Sequence, residues 1–219
     1  MCGRYALWGV DMIGRRFLVV DPTLGFRSKF NIAPSAANPV IVHAAAGNEA
    51  RLMQWGRFSS RGALPINIRV ESLRENPVPS SIIPIKRCIV PANGFYEWKK
   101  EGSRNVPYFL HLREKELFGF AGLWGELVGP DDRTSPAYSI LTTRPNSLVG
   151  AIHNRMPVIL AKDQETTWLS GNRILPEDLE SIISPPPADE MQAYPVSSRV
   201  NSAREEGQDL TEPVTGWVW

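Results

Sequence analysis

An excess of either charge is missing from this sequence: 24 lysines and arginines stand against 23 aspartates and glutamates over 219 residues. That balance excludes a bulk nucleic-acid binder working through overall charge, so any nucleic-acid site must be a local patch. Cysteine is scarce as well. Cys2 and Cys88 give no disulfide framework, and an unpaired thiol near the start of the chain fits a reducing compartment. Only three histidines occur, and no His/Cys/Asp/Glu spacing has the pattern of a zinc site; neither a metal nor an organic cofactor is expected. No apolar run approaches the length that spans a bilayer, and Met1-Cys2-Gly3-Arg4 lacks the charged and apolar regions of a secretion leader. The expected location is the cytoplasm, with no membrane partner.

What is present is punctuation. With 17 glycines and 19 prolines breaking up short alternating segments, the chain reads as one domain over residues 1–219, of class α+β, rich in sheet with a few helices. Strands are predicted over Pro39–Ala45, Leu52–Trp55 and Ile66–Glu71, the last with strict alternation. Gly94–Lys99 and Val106–Leu112 read as a hairpin joined by the polar turn Lys100–Asn105. Phe118–Leu127, Tyr138–Thr143 and Met156–Leu160 are further strands. A short helix is expected through Leu148, Val149 and Ile152, ending near His153, and clearer ones over Asp163–Leu169 and Pro176–Ile183. The segment from Gly207 to Trp219 is polar, ends in tryptophans, and reads as either a loosely held tail or one docked on the body.

Several residues are candidates for chemistry. Initiator methionine is commonly trimmed before a small residue, which would make Cys2 the first residue and a 1,2-aminothiol. Its amine and thiol then titrate near enough to neutrality for both to be nucleophilic. Such a pair can condense with an aldehyde into a five-membered thiazolidine, which an internal cysteine cannot do; the plain alternative is a cysteine in a frayed terminus. Asn93-Gly94-Phe95-Tyr96-Glu97-Trp98-Lys99 sets Glu97 among aromatics, where burial would raise its pKa and fit it for proton transfer, unless it is an exposed residue paired with Lys99 or Lys100. His153, before Arg155 and a strand, is either an acid–base group or a capping residue. His43 and His111 sit inside apparent strands without comparable context. Asn67, Arg69 and Glu71 alternate along one strand, forming either a face that holds phosphates, with Glu71 orienting the arginine, or a solvated ion pair. Arg4 and the turn Asn31-Ile32-Ala33-Pro34 supply further donors.

Taken in order, Met1-Cys2-Gly3-Arg4-Tyr5, Asn31-Ile32-Ala33-Pro34, Gln54-Trp55-Gly56, Asn67-Ile68-Arg69-Val70-Glu71, Gly94-Phe95-Tyr96-Glu97-Trp98, Ile152-His153-Asn154-Arg155-Met156-Pro157 and Pro195-Val196-Ser197 resemble the SOS response-associated peptidase (SRAP) family. The resemblance implies a compact fold around a curved, mostly antiparallel, barrel-like sheet with a few flanking helices. It also implies a protein that shields abasic sites in single-stranded DNA, acting as a monomer at the nucleoid or replication fork. Cys2 then matches the catalytic cysteine after Met1 removal, Glu97 the glutamate that promotes crosslinking, His153 the histidine of Schiff-base chemistry and Asn67 the asparagine beside the cysteine. Arg4, Arg69 and Arg155 match ligands of the DNA backbone; Asn31, Pro34 and Thr142 are placed along the same groove. The chain departs from the family in the loop after Trp55-Gly56, where the usual tryptophan is absent and Phe58 is the nearest aromatic. Two rivals stand beside this reading: an N-terminal-nucleophile hydrolase acting on amides, including removal of its own Met1, and a non-covalent single-strand binding module.

Overall fold

Two glycines show how the chain turns tightly enough to stack so many short strands. At Gly102 the backbone is left-handed, with φ 60°, which lets strands pair up to Glu101 and again from Arg104. The expected six-residue connection between Lys100 and Asn105 is thereby shortened to Gly102 and Ser103. At Gly94 the need is for space: a Cβ there would lie 2.2 Å from Phe109 Cζ on the neighbouring strand, so only glycine lets the two strands close.

The computed structural model describes residues 2–20, 25–59, 62–72, 86–114, 117–128, 133–170 and 176–214. Its strands, in chain order, are β1 (Arg4–Leu7), β2 (Lys29–Ile32), β3 (Ala37–Ala44), β4 (Gly47–Trp55), β5 (Arg57–Ser59), β6 (Gly62–Leu64), β7 (Asn67–Arg69) and β8 (Lys86–Ala92). They continue as β9 (Gly94–Glu101), β10 (Arg104–Leu112), β11 (Phe118–Val128), β12 (Thr134–Thr143), β13 (Met156–Pro157), β14 (Ile159–Leu160) and β15 (Met191–Pro195). The helices are α1 (Ile13–Arg16), α2 (Ser147–Gly150), α3 (Lys162–Leu169) and α4 (Pro176–Ile183). This is the α+β class expected, with a barrel at its centre.

Strands β4, β3, β8, β11 and β12 form the ring, and the parallel pairing of β12 with β4, Ala137 against Gln54 and Tyr138 against Trp55, closes it. Closure removes the open edges that an isolated sheet would present. A second sheet, in the order β15-β10-β9-β1-β2, lies against the barrel. One face of β9 carries Phe95, which meets the barrel's Phe120 edge-on at 6.1 Å between ring centres. The other face carries Tyr96, packed with Ala6, Phe109, Val196 and Val200 in a smaller cluster. Both faces of β9 are therefore buried, which removes the in–out alternation that usually marks a strand.

Two expectations need correction. The strand read over Ile66–Glu71 pairs only through Asn67–Arg69, with Val70 buried and Glu71 in the following turn. Met156–Leu160 is not one strand but two. β12 and β11 part company beyond the Gly122–Ile140 pair, and β13 attaches to β12 while β14 attaches to β11, with Val158 bridging through bonds to Leu141 and Ala121. The splay of a twisted, closed sheet opens that gap, and the segment fills it. Of the two readings of the C-terminal segment, docking is the one found from Gly207 to residue 214: Leu210 is fully buried, Tyr194 donates to the Thr211 carbonyl at 2.9 Å, and the Val214 N–H reaches the Pro195 carbonyl at 3.1 Å. The terminal tryptophans lie outside the described residues.

Candidate active site

Antiparallel pairing of β1 with β9 sets Arg4 against Tyr96 and Tyr5 against Phe95. Continuing that register carries Gly3 and Cys2 past Glu97, which shares the barrel-facing side of β9 with Phe95. Cys2 is fully buried and Glu97 is 2 % exposed. The alternative of an exposed Glu97 does not hold, because the residue is buried; Lys99 pairs instead with Glu101 at 3.3 Å. From β7, the Asn67 side-chain amide donates to the Cys2 carbonyl at 2.7 Å, and the Cys2 thiol approaches the Arg4 carbonyl at 3.6 Å. The other end of the Asn67 amide, Oδ1, is buried and has no hydrogen-bond partner among the described residues.

His153 arrives from the opposite side. Asn146 caps α2 by accepting from the Val149 N–H at 3.0 Å, and the helix closes with the N–H groups of Ile152 and His153 on the Val149 carbonyl. The imidazole Nδ1 then lies 3.9 Å from Glu97 Oε1, facing it at more than hydrogen-bonding distance. The same Nδ1 lies 3.1 Å from the Arg155 N–H and 3.3 Å from the Arg155 carbonyl, so the Arg155 backbone holds the ring in either tautomer, donating to Nδ1 in one and accepting from it in the other.

Burial governs the protonation of this group. It pushes the Cys2 thiol well above its ordinary range, with the Glu97 charge adding to the effect. It pushes the Glu97 carboxyl up to about 7, against an opposing pull from the positive amino terminus. It lowers His153, so the ring is neutral at physiological pH. The pocket thus holds a protonated thiol, a carboxyl poised between its two forms and an uncharged imidazole.

The arginines differ from one another. Arg69 is exposed at the end of β7. Arg155 is 9 % exposed and forked onto Glu71 through bonds of 2.8 and 2.9 Å, with a further bond to the Thr142 carbonyl. Glu71 therefore orients Arg155 and not its strand neighbour Arg69, and the bonds from Arg155 hold its carboxyl below the usual range. Arg4 is spent on Asn31 Oδ1 at 2.7 Å and on the Val200 and Asn201 carbonyls at 2.6 and 3.1 Å. Asn31 is buried and donates to the Ser202 and Glu205 carbonyls at 2.9 and 3.0 Å, so with Arg4 it fastens the 198–206 segment to β1 and β2. Pro34 is exposed in a turn, and Thr142 is fully buried beneath Arg155. The structure thus brings Cys2, Asn67, Glu97 and His153 together; Arg155 and Thr142 support the histidine turn, and Arg4 and Asn31 form a separate fastening. Side chains at 57–63 lie outside those described, Phe58 with them.

Sequence reasoning passed over the polar chain beneath the site. Tyr5 and Tyr138 share a hydrogen bond of 2.7 Å, and Asn38 donates to the Tyr138 hydroxyl at 3.0 Å, all three fully buried. Asn38 opening a run of buried β3 residues was the available signal, because a buried amide requires partners. Among the described residues no group of three His, Cys, Asp or Glu is arranged to hold a metal, and no helix is long and apolar enough to cross a membrane.

Comparison with known proteins adds names to this geometry. The family model described as SOS response associated peptidase (SRAP) matches residues 1–203. The abasic site processing protein YoqW of Bacillus subtilis is 36% identical over 222 residues, covering 97% of this chain and 99% of its own. The abasic site processing protein YedK of Escherichia coli is 27% identical, covering 98% and 100% of the two chains. A crystal structure of a Bacteroides thetaiotaomicron protein superposes with a TM-score of 0.81 at 22% identity, over 98% of this chain and 100% of that one, a likeness of fold.

Proposed function

Because this chain belongs to the SOS response-associated peptidase family, we propose that it processes abasic sites in DNA, and that Cys2 captures the lesion covalently once Met1 is removed. The observation that carries the reading is the meeting of a buried Cys2 with a carboxyl, Glu97, whose pKa lies near neutrality. Hydrolysis of the Met1–Cys2 peptide bond frees an amine separated from the thiol by two carbons. The open-chain sugar of an abasic site offers an aldehyde; the amine adds to it, water leaves, and an imine forms. The thiol then adds to the imine carbon while its proton passes to the imine nitrogen, closing a thiazolidine with the net loss of one water and no change of oxidation state.

Each residue has a task in this sequence. Burial holds the Cys2 thiol protonated, so ring closure needs a base, while loss of the hydroxyl from the carbinolamine needs an acid; a carboxyl with a pKa of about 7 serves as both. His153, neutral and facing Glu97 at 3.9 Å, exchanges protons during ring opening. Asn67 fixes the carbonyl of the reacting residue and keeps Oδ1 as an acceptor for a sugar hydroxyl. Arg69 is the arginine open to a phosphate, whereas Arg155 and Arg4, already bonded within the protein, contribute positive field around the groove. The favoured substrate is a single strand bound by a monomer, with affinity falling as salt rises. A general amide hydrolase is less well supported, since the Asn67 amide that would serve an oxyanion is committed to the Cys2 carbonyl.

A single-stranded oligonucleotide with one abasic site, incubated with the protein and run under denaturing conditions, tests the reading. A stoichiometric, heat-stable band formed without borohydride is expected from the wild type and none from Cys2→Ala. An equal band from Cys2→Ala, or steady turnover of a peptide substrate without DNA, would contradict it.

A further inference from the structure

Large apolar side chains seldom stand in solvent together, and here three do. Met12, Leu18 and Val20 are 47%, 78% and 65% exposed, and among the described residues only Leu52 joins them as an exposed large hydrophobic. They flank α1, and their backbone is held in place. Asn48 donates to the Phe17 carbonyl at 2.9 Å, the Val20 N–H reaches the Asn48 carbonyl at 3.0 Å, and the Val19 N–H reaches Gly14 at 2.9 Å. Leu18 is left-handed, with φ 53°, a conformation that costs a non-glycine residue about 1 kcal/mol. A fixed, strained backbone that turns a leucine outward is a feature that folding alone would remove.

Beside Met12 and Leu18 lies a cavity of about 750 Å³, lined on its apolar side by Phe17, Ile89 and Leu169. That volume is in the range of sites that take ligands or a few peptide side chains. Three cations line it, Arg15, Arg16 and Lys162, against one carboxylate, Glu165. Arg16 and Glu165 neutralise each other through paired bonds of 2.7 Å, and the guanidinium lies over the Phe17 ring at 4.7 Å. Among the described residues that line the cavity, Arg15 and Lys162 have no carboxylate opposite them, and His43 is the other titratable group. None of these residues belongs to the Cys2 site.

We propose that this face is a docking site for a partner protein, and that the segment it takes carries an apolar side chain flanked by carboxylates. The apolar side chain packs between the exposed Met12 and Leu18, with the nearly buried Phe17, Ile89 and Leu169 backing the cavity wall, while the carboxylates meet Arg15 and Lys162. Nucleic acid is a poor fit, because a phosphate chain gains nothing from exposed leucine and valine and two cations do not make a track. Apolar burial supplies affinity and the two cations supply orientation and selectivity. The site would bring a partner to the protein without obstructing Cys2.

Fluorescence anisotropy on the full-length protein tests this with the labelled peptide Glu-Asp-Gly-Asp-Phe-Leu. One control replaces Phe-Leu with Ser-Ser, and a second replaces the acids with lysines. Saturable binding is expected for the first peptide, with affinity at least about tenfold weaker for either control. The double variant Arg15→Glu, Lys162→Glu and, separately, Leu18→Ser should each weaken the probe by about the same factor while leaving the yield of abasic-DNA adduct unchanged. Absence of saturable binding, equal binding of the three peptides, or unchanged affinity in the variants would overturn the proposal. Displacement of the probe by an undamaged single-stranded oligonucleotide would overturn it too, by assigning this face to DNA.

Discussion

The Cys2 site and the face around α1 depart from the usual partition of residues in opposite directions. At Cys2 the interior holds groups that water would stabilise: Glu97, Asn67 and Arg155 lie in or beside the packed space between barrel and second sheet. At α1 the surface holds groups that water would drive inward, Met12, Leu18 and Val20. In both places the backbone is pinned by hydrogen bonds, so neither arrangement is slack. A residue held firmly where solvation disfavours it is a better guide to function than one in its expected place. The two departures also differ in kind: burial retunes the protonation of reactive groups, while exposure leaves contact area for another molecule.

Substitutions that return each region to the ordinary partition sharpen the contrast. The largest effect is expected from Glu97→Gln, which should slow adduct formation with abasic DNA by about 10²–10³-fold in single-turnover assays. Its stability should also lose a pH dependence. Because burial raises the Glu97 pKa from 4.5 to about 7, the folded wild type holds a proton that the unfolded chain releases, and stability falls as pH climbs between those values. Melting temperatures across that window should slope less in the variant. Next in size, Gly94→Ala forces a methyl to within 2.2 Å of Phe109 Cζ and 2.8 Å of the Leu110 carbonyl. Chemical denaturation should show a loss of about 3 kcal/mol.

A smaller change is expected of Glu71→Gln, which removes the charge from the fork on Arg155. The carboxylate is half exposed, with a side-chain exposure of 47%, so the loss should be about 1 kcal/mol. Glu71 has a depressed pKa, so its contribution is present above 4.5 and disappears as pH falls below that value; wild type and variant should converge in acid. Leu18→Gly is the smallest and has the opposite sign. Relief of the left-handed strain outweighs the entropy of glycine, and the melting temperature should rise by the equivalent of roughly 0.5 kcal/mol.

The parts of this molecule legible in its sequence are those decided locally. The β9–β10 hairpin declared itself through the polar, glycine-containing turn between two apolar runs, and the helix over Pro176–Ile183 through its proline start and its boundaries. What escaped depends on distant partners. β8 has Pro91 in its run, which argues against a central strand until β11 is seen to pair along it. The division of Met156–Leu160 follows from the splay of two other strands. Of the site, Cys2, Asn67, Glu97 and His153 were legible as a set only through ordered motifs, because no spacing rule brings residues 2, 67, 97 and 153 together. Arg4 and Arg155 read as open cations in sequence, while their bonds run to Val200 and Glu71, residues no local pattern connects to them. Leu18 would pass for a core residue, since the left-handed backbone that turns it outward leaves no mark in composition.

The mass of the intact adduct tests the central claim most directly. Protein incubated with a single-stranded abasic oligonucleotide, then denatured without any reducing agent, should weigh as the chain lacking Met1 plus the oligonucleotide less one water. Digestion should trace the added mass to Cys2. A protein that keeps Met1 and still forms the adduct, or an adduct that maps to a lysine, would contradict the claim that the terminal amine and thiol act together.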